Sequence, residues 1–204
     1  MRTVIWTRAL ALVALACAVS SCGGSAASGG GSSNAGITSS AGGAASAARY
    51  TSDEGKFSVT LPEGYGPFSE KKETSPTPSG EGKSHYLTSK NSSGHLAVVE
   101  YHILPDALFQ KGKIREGLEG MRDEFLGKVT GVMESSEPVT VQGREALAVR
   151  GFNSLPDNKG FAYFRLVYVA APPRIYRVGL ITTEKADLDS PGVNAYFDSF
   201  QLAQ

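Results

Sequence analysis

Phe161-Ala-Tyr-Phe-Arg-Leu-Val-Tyr-Val-Ala-Ala171, Pro172-Pro173 and Arg174-Ile-Tyr-Arg-Val-Gly-Leu-Ile-Thr-Thr183 make two long aromatic and β-branched runs about a proline pair. Runs of this composition bounded by turn residues predict strands, so Phe161 to Ala170 and Arg174 to Thr183 pair as a hairpin across Ala171-Pro172-Pro173. From Phe161 to Val169 both faces are apolar apart from Arg165, the pattern of a central strand covered on two sides. A sheet with layers on both faces follows.

The flanking chain extends this sheet. Pro138 to Gln142 meets Arg144 to Phe152 through a tight turn at Gln142-Gly143, and the loop Leu155 to Gly160 separates the two hairpins. Further upstream, His85 to Ser89 and His95 to Ile103 pair across Asn91-Ser92-Ser93-Gly94; in the second strand Ala97, Val99, Tyr101 and Ile103 share one face, and Leu96, Val98, Glu100 and His102 the other. Phe57, Val59 and Leu61 alternate with Ser58 and Thr60 in a short strand closed by Pro62. Ser69 to Lys83 is polar, carries Pro76, Pro78, Gly80 and Gly82, and is too long for a hairpin turn, so it is expected to be a mobile loop, with part of a binding rim as the alternative.

Two segments carry helical periodicity. Ile114, Leu118, Met121, Phe125 and Val129 recur at intervals of four and three, with charged residues elsewhere on the cylinder. Gly112, Gly117, Gly120 and Gly127 each cost roughly 1 kcal/mol relative to alanine in a helix, so packing rather than propensity holds it, and the glycines are expected to let it sit close on the sheet. The second helix starts at Ser190 as N-cap with Pro191 in the first turn, and turns Val193, Tyr196, Phe197 and Phe200 to one side. Together these elements predict one domain, residues 49–204, of class α+β: an antiparallel sheet sandwiched by helices. An all-β barrel with peripheral helices is the alternative.

The opening Gly55-Lys56-Phe57-Ser58-Val59-Thr60-Leu61-Pro62-Glu63-Gly64-Tyr65, the hairpin around Arg144, the aromatic hairpin with Tyr168 and Tyr176, and the closing Tyr196-Phe197-Asp198-Ser199-Phe200 together resemble the PsbP and Mog1-like family. That resemblance implies an antiparallel sheet between helices and a relation to noncatalytic assembly factors. It supplies no site motif to carry over.

The first 48 residues have a different character. Met1 to Ser21 places Arg2 and Arg8 before the apolar run Ala9 to Val19, too short for the roughly 20 residues that span a bilayer, so a cleaved export signal is expected. Val19-Ser20-Ser21-Cys22 resembles the lipobox of bacterial lipoproteins, which implies cleavage before Cys22 and lipid on its thiol. Gly23 after that cysteine is not the aspartate that resembles an inner-membrane retention signal. The expected address is therefore exported and lipid-anchored, in the cell membrane or, where there are two membranes, the outer one. Residues 22–48 follow as a Gly/Ser/Ala-rich tether that cannot bury enough surface to order itself; its mean reach is on the order of 30 Å.

Chemistry in the remaining chain is sparse. The only cysteines are Cys17 and Cys22, so the domain has no thiol for a disulfide, a zinc site or a nucleophile. With Arg2 and Arg8 removed, 18 basic residues face 20 acidic ones, which gives no electrostatic reason to expect nucleic acid. Gly82-Lys83-Ser84 lacks the first glycine of a phosphate loop, Thr77 standing in its place, and there is no Gly-x-Ser-x-Gly elbow. His95 and His102, seven apart, are expected on opposite sides of a strand rather than in one metal site. No cofactor is expected.

Arg150, Arg165 and Arg177 fall on three consecutive strands, and on a shared face they could clamp a carboxylate or phosphate. The competing reading pairs them with Glu100 and Glu145. Tyr163, Phe164, Tyr168 and Tyr176 are expected in the core, with a ligand groove as the other possibility. The sequence thus predicts a noncatalytic, membrane-anchored envelope lipoprotein that binds or assists an envelope protein partner. The alternative is a small-ligand carrier or cryptic hydrolase using a pocket between sheet and helix.

Overall fold

The computed structural model describes residues 49–77, 80–106, 109, 112–156 and 159–203; Cys22 and the expected signal and tether lie outside them. The strands are β1 (Arg49–Ser52), β2 (Phe57–Thr60), β3 (Ser69–Thr77), β4 (Gly80–Lys90), β5 (Leu96–Ile103), β6 (Val132–Val141), β7 (Arg144–Ser154), β8 (Phe161–Ala171), β9 (Arg174–Thr182) and β10 (Gln201–Leu202). Helix α1 spans Ile114–Val129 and α2 spans Pro191–Asp198, preceded by a 3-10 helix at Lys185–Asp189. A seven-stranded antiparallel sheet has the order β3-β4-β5-β9-β8-β7-β6, and β1-β2-β10 form a separate small sheet. The large sheet stays open, with β3 and β6 as edges, which corrects the barrel alternative.

The quoted hairpin β8–β9 lies in the middle of the sheet, and its two faces explain its double apolar pattern. On one face Val99, Tyr101, Val169, Tyr176, Val178 and Leu180 pack against Phe57, Val59, Tyr196 and Phe200 of the small sheet and the α2 region. On the other, Leu147, Val149, Phe164, Leu166 and Tyr168 pack under Leu118 of α1. Buried tyrosines on the first face find acceptors: Tyr176 donates to the Gly55 carbonyl at 2.6 Å and Tyr196 to that of Val98 at 2.9 Å. Burying these rings therefore leaves no hydroxyl cost to offset.

The second helix begins as the sequence predicts but ends at Asp198, so Phe200, expected on its apolar side, follows the helix. Ser190 accepts from the Val193 amide, with Pro191 opening α2. Helix α1 ends at Thr130 in the left-handed region, the cap amide bonding to the Leu126 carbonyl. The role expected for its glycines is corrected: a Cβ built on Gly117, Gly120 or Gly127 meets nothing within 4 Å, so these glycines are not points of close approach to the sheet. The closest approaches are instead on strands, where a Cβ on Gly179 would fall 2.3 Å from Leu166 and one on Gly151 2.3 Å from the Val132 carbonyl.

Ser69 to Lys83 also departs from expectation. It forms β3 and the start of β4, in register from Ser69 opposite Thr88 to Thr77 opposite Gly80. Apolar alternation is absent because β3 is an edge strand whose side chains from Ser69 to Pro76 are exposed or half-buried. Pro76 is tolerated there because an edge can spare a ladder donor, and the ion pairs of Lys71 with Glu73 and Lys72 with Glu70 supply the charge that protects such an edge.

Candidate functional site

Helix α1 lies over β7 and β8 and leaves the same face of β4, β5 and β9 without a helix above it. The result is a groove of about 740 Å³ between α1 and the sheet. Its floor includes Val98, Leu166 and Ile181, and its helical wall includes Met121, Phe125 and Val129. The floor thus combines the Leu96-parity face of β5 with residues of β8 and β9, and the wall is the outer part of the α1 stripe. Their apolar character is what the sequence showed; the partial exposure of all but Leu166 is what it did not.

One end of the groove is polar, and strand register builds it. Tyr86 faces Glu100, Glu100 faces Arg177 and Arg177 faces Tyr168, so four side chains form a row across β4, β5, β9 and β8. Glu100 Oε2 is ion-paired with Arg177, whose guanidinium also lies over the Phe125 ring, 4.8 Å from its centroid. His102, two residues along β5, has Nδ1 2.8 Å from Ser84 Oγ and Nε2 2.8 Å from Glu100 Oε1. Only the first of those contacts has hydrogen-bond geometry: among the described residues His102 Nε2, Arg177 Nε and the Tyr168 hydroxyl are buried without a hydrogen-bond partner.

Electrostatics in this row are strong. Burial alone would raise the Glu100 carboxyl, but Arg177 and His102 outweigh it and hold the group down at about 2. Burial would likewise ease the proton off Arg177, and Glu100 reverses that, so the guanidinium holds its proton more firmly than usual. Burial, with the Glu100 charge as the second cause, pushes the Tyr86 phenol up to about 12. The row is an ion pair flanked by two neutral phenols.

The three expected clamp arginines do not come together. Arg150 and Arg165 face each other on β7 and β8. Arg165 pairs in register with Leu180, whereas Arg177 pairs with Tyr168, which has the opposite strand parity and puts Arg177 on the groove face. Arg150 already grips a carboxylate of its own chain, both oxygens of Asp189 at 2.5 and 2.9 Å. Arg165 donates to the Leu188 carbonyl at 3.2 Å and to Asn194 Oδ1 at 2.6 Å, and stacks over Phe197 at 4.4 Å. These two arginines seat the segment from the 3-10 helix into α2. Of the expected partners, Glu100 takes Arg177, while Glu145 pairs with Arg115 instead.

The other chemical signals disperse. His102 belongs to the groove; His95 lies 3.6 Å from Asp187. His85 stacks on Tyr101 at 4.3 Å on the opposite face, with Nδ1 3.0 Å from Glu70 and Nε2 3.4 Å from Glu54. Among the described residues no three His, Cys, Asp or Glu side chains gather as a metal site would require. Phe164, Tyr168 and Tyr176 are each at most 2% exposed, with Phe164 also lining the groove, and Tyr163 is half-buried against the opposite core. The groove end was only half visible in the sequence: Glu100 and His102 alternate on one face, but Ser84, Tyr86 and Tyr168 join them through register alone.

No family model matches this chain, and no curated protein matches it. Among solved structures, that of cyanobacterial PsbP from Synechocystis sp. PCC 6803 aligns with a TM-score of 0.55 at 13% identity, over 81% of this chain and 98% of that one. A protein of unknown function from Pseudomonas aeruginosa, described as a putative regulator, aligns at a TM-score of 0.34 and 15% identity over 70% and 86% of the two chains; nothing follows from so distant a match. The first match shows a PsbP-like fold, a mostly antiparallel sheet with two helices, and at that identity it speaks to the fold alone.

Proposed function

We propose that this chain is a noncatalytic, membrane-anchored lipoprotein of the cell envelope whose helix-flanked, PsbP/Mog1-like head carries a small ligand in the groove between α1 and the sheet. The observation that carries the binding role is the groove itself: about 740 Å³, with an apolar floor and wall and one polar end. Pockets that receive small molecules have this make-up, mostly apolar with a few placed polar groups. A docked envelope protein is the competing occupant, and a largely apolar volume of about 740 Å³ with one polar end favours a small molecule. The lipid anchor and export rest on Val19-Ser20-Ser21-Cys22 and the charged, apolar segment before it.

Binding is tested with the apolar fluorophore N-phenyl-1-naphthylamine on the mature chain produced without its acyl groups, which would themselves take up the probe, in detergent-free buffer. Saturable enhancement is expected, and Val98→Trp, which fills the floor, should abolish it. Equal enhancement by the variant would place the probe elsewhere and remove the carrier reading. The anchor is tested by intact mass: the mature chain should begin at Cys22 with added acyl mass and should lack tryptophan, because Trp6 is the only one in the sequence.

A further inference from the structure

We infer that the ligand of this groove is a single-chain amphiphile with an uncharged hydroxyl head, seated against the Glu100–Arg177 pair and His102. The inference rests on the carrier reading and adds the chemical class of the cargo. The apolar floor and the α1 wall define the place for a chain, while the polar row at one end defines the place for a head. What that head can be is set by charge.

The carboxylates and the lysine and arginine lining the groove cancel in pairs: Glu100 with Arg177 at the end, and Glu124 with Lys128 at 2.7 Å on α1. A carboxylate or phosphate approaching Arg177 meets the Glu100 carboxylate bonded to it; an ammonium approaching Glu100 meets Arg177. Either would enter a desolvated site whose charge is already compensated, and would have to exchange its own hydration for no net attraction. A hydroxyl has no such charge to strip. It both donates and accepts, matching a site that holds an acceptor carboxylate, a guanidinium donor and an imidazole nitrogen within one cluster.

Two observations show that this end is unfinished as a purely structural network. His102 is 2% exposed and lines the groove, yet the 2.8 Å contact of its Nε2 with Glu100 Oε1 lacks hydrogen-bond geometry, and Arg177 Nε is buried without a hydrogen-bond partner. Arg177 is also the member that remains open, with 22% of its side chain exposed against 8% for Glu100. A head entering along the groove therefore meets Arg177 first, with His102 and Glu100 behind it. Tyr86 flanks the pair and remains a neutral phenol, so it adds no charge to the balance.

Competition against bound N-phenyl-1-naphthylamine by decanol, decanoate and decylammonium, equal in chain and different in head, tests this. Decanol should compete at a concentration about tenfold below either ion. Glu100→Gln removes the compensating charge and should reverse the order, making decanoate the best competitor, with circular dichroism confirming that the variant is folded. If the variant does not fold, the wild-type ranking decides alone. Decanoate or decylammonium matching decanol in the wild type, or an unchanged ranking in a folded variant, would overturn the inference while leaving the carrier reading in place. Absence of probe binding to the wild type would remove both.

Discussion

Glu100 is the residue on which the groove end depends, and its titration shows how. Its folded value of about 2 lies below the 4.5 of a free glutamate. A group depressed in this way contributes stability that is fully present above the free value and is lost as pH falls toward the folded one. The window is therefore about pH 4.5 down to 2, and a difference of that size corresponds to about 3 kcal/mol, comparable with the cost of breaking a buried pair. Glu100→Gln should thus be less stable than wild type by roughly 2–4 kcal/mol at neutral pH, with the gap closing across that acid window. Urea midpoints measured at several pH values read this directly; a constant gap would mean that Glu100 acts by packing rather than by charge. Arg150 and Arg165 teach the converse lesson. Their residue type suggested a clamp for an outside anion, but each spends its donors on residues 188, 189 or 194 of its own chain.

At the level of elements, α1 is held by one fully buried residue, Leu118, and by a half-buried stripe. Its glycines weaken it without serving the packing, since Gly117, Gly120 and Gly127 face open space at negative φ. Replacing each with alanine should therefore stabilise the protein, by about 0.4–1 kcal/mol per site. Gly179→Ala, with Leu166 2.3 Å from the new Cβ, should do the reverse by about 1–3 kcal/mol. Thermal unfolding of the four single variants separates the two cases by sign. The same elements mark what a sequence discloses. Both helices, Ile114–Val129 and Pro191–Asp198, were legible because periodicity, the Ser190 cap and Pro191 are local signals. The β8–β9 hairpin was legible because both its faces are buried. Strand β3 was not, because an edge strand with both faces wet has no reason to alternate. The polar row from Tyr86 to Tyr168 was not either, since it exists only once four strands are placed in register.

Over the whole molecule, one sheet serves two cores of unequal strength. The face toward the small sheet and α2 buries Phe57, Tyr101, Tyr176, Tyr196 and Phe200 together, with ring centroids of neighbouring pairs such as Phe57 and Phe200 5.6 Å apart. The face toward α1 is covered over β7 and β8 and open over β4, β5 and β9. Because β7, β8 and β9 contribute to both cores, and β5 lies between β4 and β9 in the middle of the sheet, these strands can open only when the sheet itself unfolds, whereas α1 can lift away at the cost of its own layer. Hydrogen exchange should therefore show the amides of α1 exchanging faster than those of β5, β8 and β9. A ligand in the groove touches Met121, Phe125 and Val129, so it should slow α1 more than any strand of the far core. Protection of α1 equal to that of β9 in the free protein would mean that the helix is locked to the sheet. Access to the site would then have to come through the rim at Asn153–Pro156 rather than by movement of the helix.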